Sequence, residues 1–206
     1  MRGMKLDVCH MTVSSIEQIL RDVVDHADPD ILKQYLISVI LHALPLFGKA
    51  QLTSWRDHAL PYPDALRAAV IREWLLFTPA WQRSVLAERG DLLVLYDSYC
   101  FAQKRILTLL LAVNRIYHPG FKWLDALVEQ LPFAPFHLAG RLKQVFQMPA
   151  PVGTQLLHML IEETFALIER HVPELIGETT HARTLFQQEG PCWQQAPENL
   201  LDNRVG

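Results

Sequence analysis

The segment YDSYCFAQKRILTLLLAVNRIYHPGFKW, residues 96–123, has the pattern of a long apolar helix that carries a few polar side chains. Asp91 is a suitable N-cap upstream of it, and Pro119 and Gly120 break helical structure downstream. We therefore predict a central helix over residues 92–117. Its polar side chains, and those just after it, make this region the first candidate for a site.

The sequence on either side of this segment predicts further helices, separated by short connections rich in proline and glycine. The predicted ranges are 14–26, 29–44, 49–58, 64–77, 79–90, 123–130, one ending near residue 147, and 154–172. Short connections favour antiparallel neighbours. We therefore predict an all-α, up-down helical bundle domain over residues 14–176. Residues 177–206, which end in a stretch rich in Gln, Asn and Pro, are predicted to form a loosely ordered tail.

The N-terminal segment MKLDVCHMTV, residues 4–13, alternates apolar and polar side chains imperfectly and predicts one short β-strand. A single strand needs partners, and no second strand is indicated. Residues 1–13 are therefore interpreted as an orphan strand of a sheet whose other strands are missing. The alternative is an N-terminal arm that packs on the helices.

Composition narrows the function classes. The 206 residues carry a net charge of −3, which gives no overall case for binding nucleic acid or an anionic membrane. No apolar run approaches the length of a membrane span. The three cysteines lie far apart without zinc-site spacing, so a reduced, cytoplasmic setting is expected and no metal site is predicted.

The central segment holds the candidate binding residues. Lysine and arginine suit phosphate, asparagine offers a donor and an acceptor, and tyrosine and tryptophan can stack on a ring. The predicted binding residues are Lys104, Asn114, Arg115, Tyr117, Lys122 and Trp123. The alternative interpretation is that the basic side chains form the solvated face of an amphipathic helix.

Enzyme motifs are missing. No HExxH, Gly-x-Ser-x-Gly, Walker-type or Gly-x-Gly-x-x-Gly sequence occurs. Arg115 and His118 are similar to the Arg-x4-6-His motif of HEPN ribonucleases, but only two residues separate them.

The run LLAVNRIYHPGFKWL, residues 110–124, resembles the C-terminal helical domain of nucleotidyltransferase-fold proteins. The nearest likeness is to an uncharacterised domain-of-unknown-function family with an architecture similar to kanamycin nucleotidyltransferase. The upstream run PLFGKAQLTSWRDHALPYPDAL, residues 45–66, adds to the resemblance, which covers roughly residues 4–150.

The resemblance implies that an α/β head binds metal and nucleotide while the helical domain contacts the substrate. The head's Gly-Ser and paired-carboxylate signature is absent here, so the resemblance implies that residues 1–13 are a remnant strand of a missing α/β head, with Asp7 as the candidate for its third carboxylate. The chain is then expected to need no cofactor alone, and Mg²⁺ with a nucleoside triphosphate once a head is supplied. That head would be a separate partner, unless the chain forms a homo-oligomer.

The resemblance implies that each predicted binding residue contacts a small-molecule substrate. Lys104, Arg115 and Lys122 hold phosphate or an anionic acceptor. Asn114 and Tyr117 orient the acceptor, and Trp123 forms one wall of the pocket. The alternative function is a non-enzymatic helical module that pairs with a partner protein through its strand.

Overall fold

The computed structural model describes residues 8–190 of the chain, and every regular element in that range is a helix. The helices are α1 (Val13–Leu20, continued by a π-helical turn over Arg21–Asp25), α2 (Ile31–His42), α3 (Lys49–Ala59), α4 (Asp64–Trp74), α5 (Ala80–Arg89), α6 (Leu92–Val113), α7 (Leu124–Val128, preceded by a 3₁₀ turn over Phe121–Trp123), α8 (Leu138–Gln147), α9 (Ala150–His171) and α10 (Ile176–Gln187, preceded by a 3₁₀ turn over Pro173–Leu175). The all-α class is confirmed for these residues. The up-down arrangement stays a prediction.

The predicted N-terminal strand is wrong for its described part. Residues 8–12 form no regular structure, and Val8 is 74% exposed. The Thr12 hydroxyl accepts a hydrogen bond from the Ser15 backbone N–H at 3.1 Å and so caps α1. Residues 8–190 contain no strand that could pair with this segment. An unpaired strand is not stable, so this segment leads into α1 instead of forming a strand. Residues 1–7, with Asp7, lie outside the described residues.

Helix α6 is the core of the fold and packs on α4, α5, α8 and α9. Most of its C-terminal half is buried, including Ile106 and Leu109, both fully. The Tyr99 hydroxyl lies 2.6 Å from that of Thr154 on α9, which ties the two longest helices together. In the part of the chain that the structure describes, no helix has the length and apolar character needed to cross a membrane.

Helices α8 and α9 meet at a contact that only glycine permits. A Cβ atom on Gly153 would lie 2.3 Å from the carbonyl oxygen of Val145. That separation is far below any van der Waals contact, so a side chain there would force the two helices apart.

The central helix ends four residues earlier than predicted. Asn114 caps it, and Arg115 adopts a left-handed backbone conformation with φ of +57°. A left-handed residue reverses the chain direction, which is why helices commonly stop at one. Tyr117 therefore lies in the loop after α6, where it is buried.

The segment predicted as a loose tail begins as a helix. Residues 177–187 belong to α10, whose buried side chains include Thr179, Ala182 and Phe186. The Phe186 ring contacts Phe77 at 6.3 Å between centroids, so α10 joins the core. Residues 191–206 lie outside the described residues.

Candidate functional site

A cleft of about 1030 Å³ opens between α2, the connector after α3, the loop after α6 and the region of α7. We call it the α2–α6 cleft. Its lining residues are Tyr35, Ser38, Val39, Leu41, His42, Leu60, Pro61, Tyr62, Arg115, Ile116, Tyr117, Pro119, Leu127 and Gln130. Most are aromatic or aliphatic, and a few polar groups lie among them. Ligand-binding pockets commonly have this composition.

Two buried tyrosines in contact, with their ring planes tilted by 48°, form one wall of the cleft. The rings of Tyr62 and Tyr117 lie 4.7 Å apart between centroids. The Tyr117 hydroxyl donates to the carbonyl oxygen of Ala59 at 2.8 Å, which anchors the loop after α6 to the end of α3. The Tyr62 hydroxyl is buried and has no hydrogen-bond partner among the described residues. Burial raises the pKa of both phenols, so both rings stay neutral at physiological pH.

Arg115 lies at the edge of the cleft with its charge already balanced. It donates to the Tyr62 carbonyl oxygen at 3.3 Å and forms an ion pair with Asp64. Asp64 also contacts Arg67 at 3.0 Å, and Arg67 in turn contacts Glu174 at 2.6 Å. Two cations and two carboxylates thus form a neutral chain. An anion that binds Arg115 must compete with Asp64.

Helix α2 supplies the opposite wall through residues one turn apart. Tyr35 is 39% exposed and Val39 is 46% exposed, so both offer apolar surface to a ligand. His42 donates from Nδ1 to the Ser38 carbonyl oxygen at 2.8 Å, because a carbonyl can only accept. The neutral His42 ring then has Nε2 as its acceptor.

The structure does not bring the predicted binding residues to one place. Of the five whose side chains the structure describes, only Arg115 and Tyr117 line the α2–α6 cleft. Lys104 lines a separate cavity of about 260 Å³ with Cys100, Gln103 and Lys143. Its ammonium lies 5.7 Å from the centroid of the Phe121 ring.

Asn114 and its neighbours toward α7 have other surroundings. The Asn114 amide nitrogen donates to the carbonyl oxygens of Leu110, at 2.7 Å, and Phe133, at 2.8 Å. Its oxygen accepts from the Phe133 backbone N–H at 2.9 Å. Lys122 is exposed in the turn before α7 and does not line the cleft. The side chain of Trp123 lies outside what the structure describes. The binding roles of all these residues stay predictions.

His118 is placed poorly for the ribonuclease alternative. Its side chain is 1% exposed, and its Nδ1 accepts from the Gly120 backbone N–H at 3.0 Å. Burial lowers the pKa of His118 to about 4. Its Nε2 is buried without a hydrogen-bond partner among the described residues. Substrate would have no direct access to this ring, whereas Arg115 is exposed.

The α2 wall is a part of the site that sequence reasoning missed. Tyr35, Val39 and His42 belong to the helix predicted over residues 29–44 and are not among the predicted binding residues. Their spacing of four and three residues does place them on one face. That face meets a cleft rather than the core, which the spacing alone cannot distinguish. Within residues 8–190, no three His, Cys, Asp or Glu side chains gather as metal ligands.

Comparison with known proteins adds one match. The sequence model of a family described as a domain of unknown function (DUF4037) matches residues 29–124. No curated protein and no solved structure matches the chain. The match agrees with the expected likeness to an uncharacterised domain family, whereas the likeness to nucleotidyltransferases stays a prediction. Apart from Leu127 and Gln130, every residue that lines the α2–α6 cleft lies inside the matched range.

Proposed function

We propose that the chain is a helical ligand-binding domain of a nucleotidyltransferase-like protein, and that the α2–α6 cleft receives the acceptor substrate. The observation that carries this proposal is the cleft itself, a largely apolar recess of about 1030 Å³ with two tyrosines in one wall. Its size is at the upper end of the usual range for small-molecule sites. Free thiols at Cys9 and Cys100 suit the cytoplasmic setting that belongs to this proposal.

The cleft supports binding better than chemistry. Its tyrosines are held neutral by burial, which makes them poor nucleophiles and bases. Two-metal nucleotidyl transfer needs several carboxylates at one place. The described residues provide no such group, so they do not fit Mg²⁺. In this proposal Mg²⁺ and the nucleoside triphosphate bind to a separate head, and the chain alone is not catalytic.

The first experiment asks whether the cleft binds a small apolar molecule. N-phenyl-1-naphthylamine is neutral and fluoresces when it enters an apolar site. We expect saturable binding to the intact chain and a loss of about tenfold or more in affinity for Val39→Glu, which places a charge in the cleft. Val94→Glu is the matched control, since Val94 is similarly exposed and does not line the cleft. Equal loss in both variants, or no binding to the intact chain, would refute the proposal.

The second experiment concerns the nucleotidyltransferase part of the proposal. A nucleotidyltransferase head domain is supplied in trans with MgATP, and pyrophosphate release is measured. Release is expected only when both chains are present, and it should fall with Val39→Glu but not with Val94→Glu. Release by this chain alone would contradict the assignment of catalysis to the head. Failure of the pair to bind nucleotide or release pyrophosphate would remove the nucleotidyltransferase interpretation and leave the binding cleft.

A second candidate function is an interaction module, and one specific observation favours it. In the loop between α2 and α3, Leu44 and Leu46 are each 89% exposed and Phe47 is 94% exposed. Such a cluster of exposed large apolar side chains commonly marks a protein contact. The partner would be a head domain or a second copy of the chain. Phe47→Asp should abolish the complex, while Phe136→Asp, at a residue 78% exposed, should not. A complex that survives Phe47→Asp would dismiss this loop as the contact.

A further inference from the structure

We infer that the α2–α6 cleft takes an uncharged ligand with an apolar ring system, and that it discriminates against anionic forms of the same molecule. This inference rests on the proposed binding function and names the ligand class for that site. It differs from the phosphate-gripping role that the sequence predicts for Arg115. Three features of the described residues carry it: the charge balance, the surface of the walls and the polar groups.

The charged side chains at the edge of the cleft balance one another. Among the lining residues that the structure describes, Arg115 alone is permanently charged. Its guanidinium is paired with Asp64, and the adjacent Arg67 is paired with both Asp64 and Glu174. An incoming carboxylate or phosphate would meet a neutral network and would lie beside the Asp64 carboxylate. Repulsion from Asp64 therefore offsets the attraction of Arg115.

The walls of the cleft are largely apolar. The exposed apolar surface comes from Tyr35 and Val39, while the buried Tyr62 and Tyr117 rings, 5% and 3% exposed, lie behind it as neutral packing. A ring system that lies against Tyr35 and Val39 buries apolar area and can pack on the Tyr35 ring. Moving a charged group into these surroundings costs desolvation, and among the described lining residues only Arg115 carries a permanent charge that could offset it.

The polar groups of the cleft favour a hydrogen bond from a ligand hydroxyl over contact with a ligand carboxylate. With its Nδ1 committed to the Ser38 carbonyl, a neutral His42 offers Nε2 as an acceptor. An acceptor is satisfied by a ligand hydroxyl and repels a carboxylate. A neutral alcohol is also the kind of group to which a nucleotidyl group is transferred, so this ligand class agrees with the proposed function.

The test uses two molecules that share one ring system. 2-Naphthalenemethanol is neutral and 2-naphthoate is anionic at pH 7.5, and each is titrated in competition with N-phenyl-1-naphthylamine. We expect the alcohol to bind the intact chain about tenfold or more tightly than the carboxylate. Asp64→Asn removes the competing carboxylate, so it should improve naphthoate binding about fivefold and leave the alcohol unchanged.

The control is Asp91→Asn, which makes the same charge change at the other end of α6, roughly 33 Å from Asn114 by helix length. It should alter neither affinity. Naphthoate binding as tight as alcohol binding, or an Asp64→Asn variant that leaves naphthoate binding unchanged, would overturn the inference alone. If neither naphthalene compound nor the fluorophore binds, the proposed function fails as well.

Discussion

Replacing Asn114 with alanine removes three hydrogen bonds: two join the end of α6 to the loop at Phe133, and one is to the Leu110 carbonyl oxygen within α6. Each such bond contributes about 0.5 to 1.5 kcal/mol net, and those to Phe133 lie at exposed atoms, so we expect a loss of about 1.5 to 3 kcal/mol. For a chain of this size the loss corresponds to a fall in Tm of about 3 to 12 °C.

Asn114 is also one of the residues that the sequence predicts to orient a substrate, so the same variants separate the two roles. Thermal unfolding followed by circular dichroism gives Tm, and N-phenyl-1-naphthylamine titration gives Kd. Asn114→Asp keeps an acceptor for the Phe133 N–H but faces two carbonyl oxygens with a carboxylate. It should therefore destabilise the fold at least as much as alanine. In both variants Kd should change by less than about threefold at a temperature where the chain is folded.

A different pattern would refute the structural role of Asn114. An alanine variant with an unchanged Tm and a Kd weakened about tenfold would show that the amide serves a ligand rather than the loop. We do not expect that outcome, because the hydrogen bonds to Leu110 and Phe133 already use both amide hydrogens of Asn114 and one acceptor position of its oxygen.

Three further predictions concern the residues around the cleft. Tyr117→Phe strands the buried Ala59 carbonyl and should cost about 1 to 2 kcal/mol in urea unfolding, whereas Tyr62→Phe removes a hydroxyl without a partner and should be neutral or stabilising. Arg115→Gly should be more stable than Arg115→Ala by about 1 kcal/mol, because both lose the ion pair but only glycine adopts φ of +57° without strain. His118 has a pKa lowered to about 4, so the unfolded chain binds the extra proton first. Its contribution to stability should be present above about pH 6.5 and lost as the pH falls toward 4, and His118→Asn should flatten that slope in acid unfolding.

The parts of the fold that depend on residues close together in the sequence could be predicted from it. Gly90 adopts the left-handed conformation expected of a helix C-cap, and α5 ends there. Helix α4 begins at Asp64, as predicted. The strand prediction failed because alternation over a few residues is a weak signal, whereas the Thr12 cap makes a specific hydrogen bond.

The cleft could not be predicted in the same way because its walls are distant in sequence. The hydrogen bond from Arg115 to the Tyr62 carbonyl joins residues 53 positions apart, and that from Tyr117 to Ala59 joins residues 58 apart. Spacing along one helix carries no information about such contacts. The family match over residues 29–124 contains both pairs.

The separation of Lys104 from Arg115 depends on where helix α6 ends. Eleven residues at 100° each amount to about three full turns, so in one continuous helix these side chains would share a face, about 16 Å apart. Helix α6 instead ends at Val113, and the left-handed residue at 115 turns the chain away from the helix axis. Lys104 then faces α8 across the small cavity, while Arg115 reaches back to the connector after α3. A ligand in the α2–α6 cleft therefore meets one neutralised cation rather than two free ones, which is why an uncharged ligand suits it better than a phosphate.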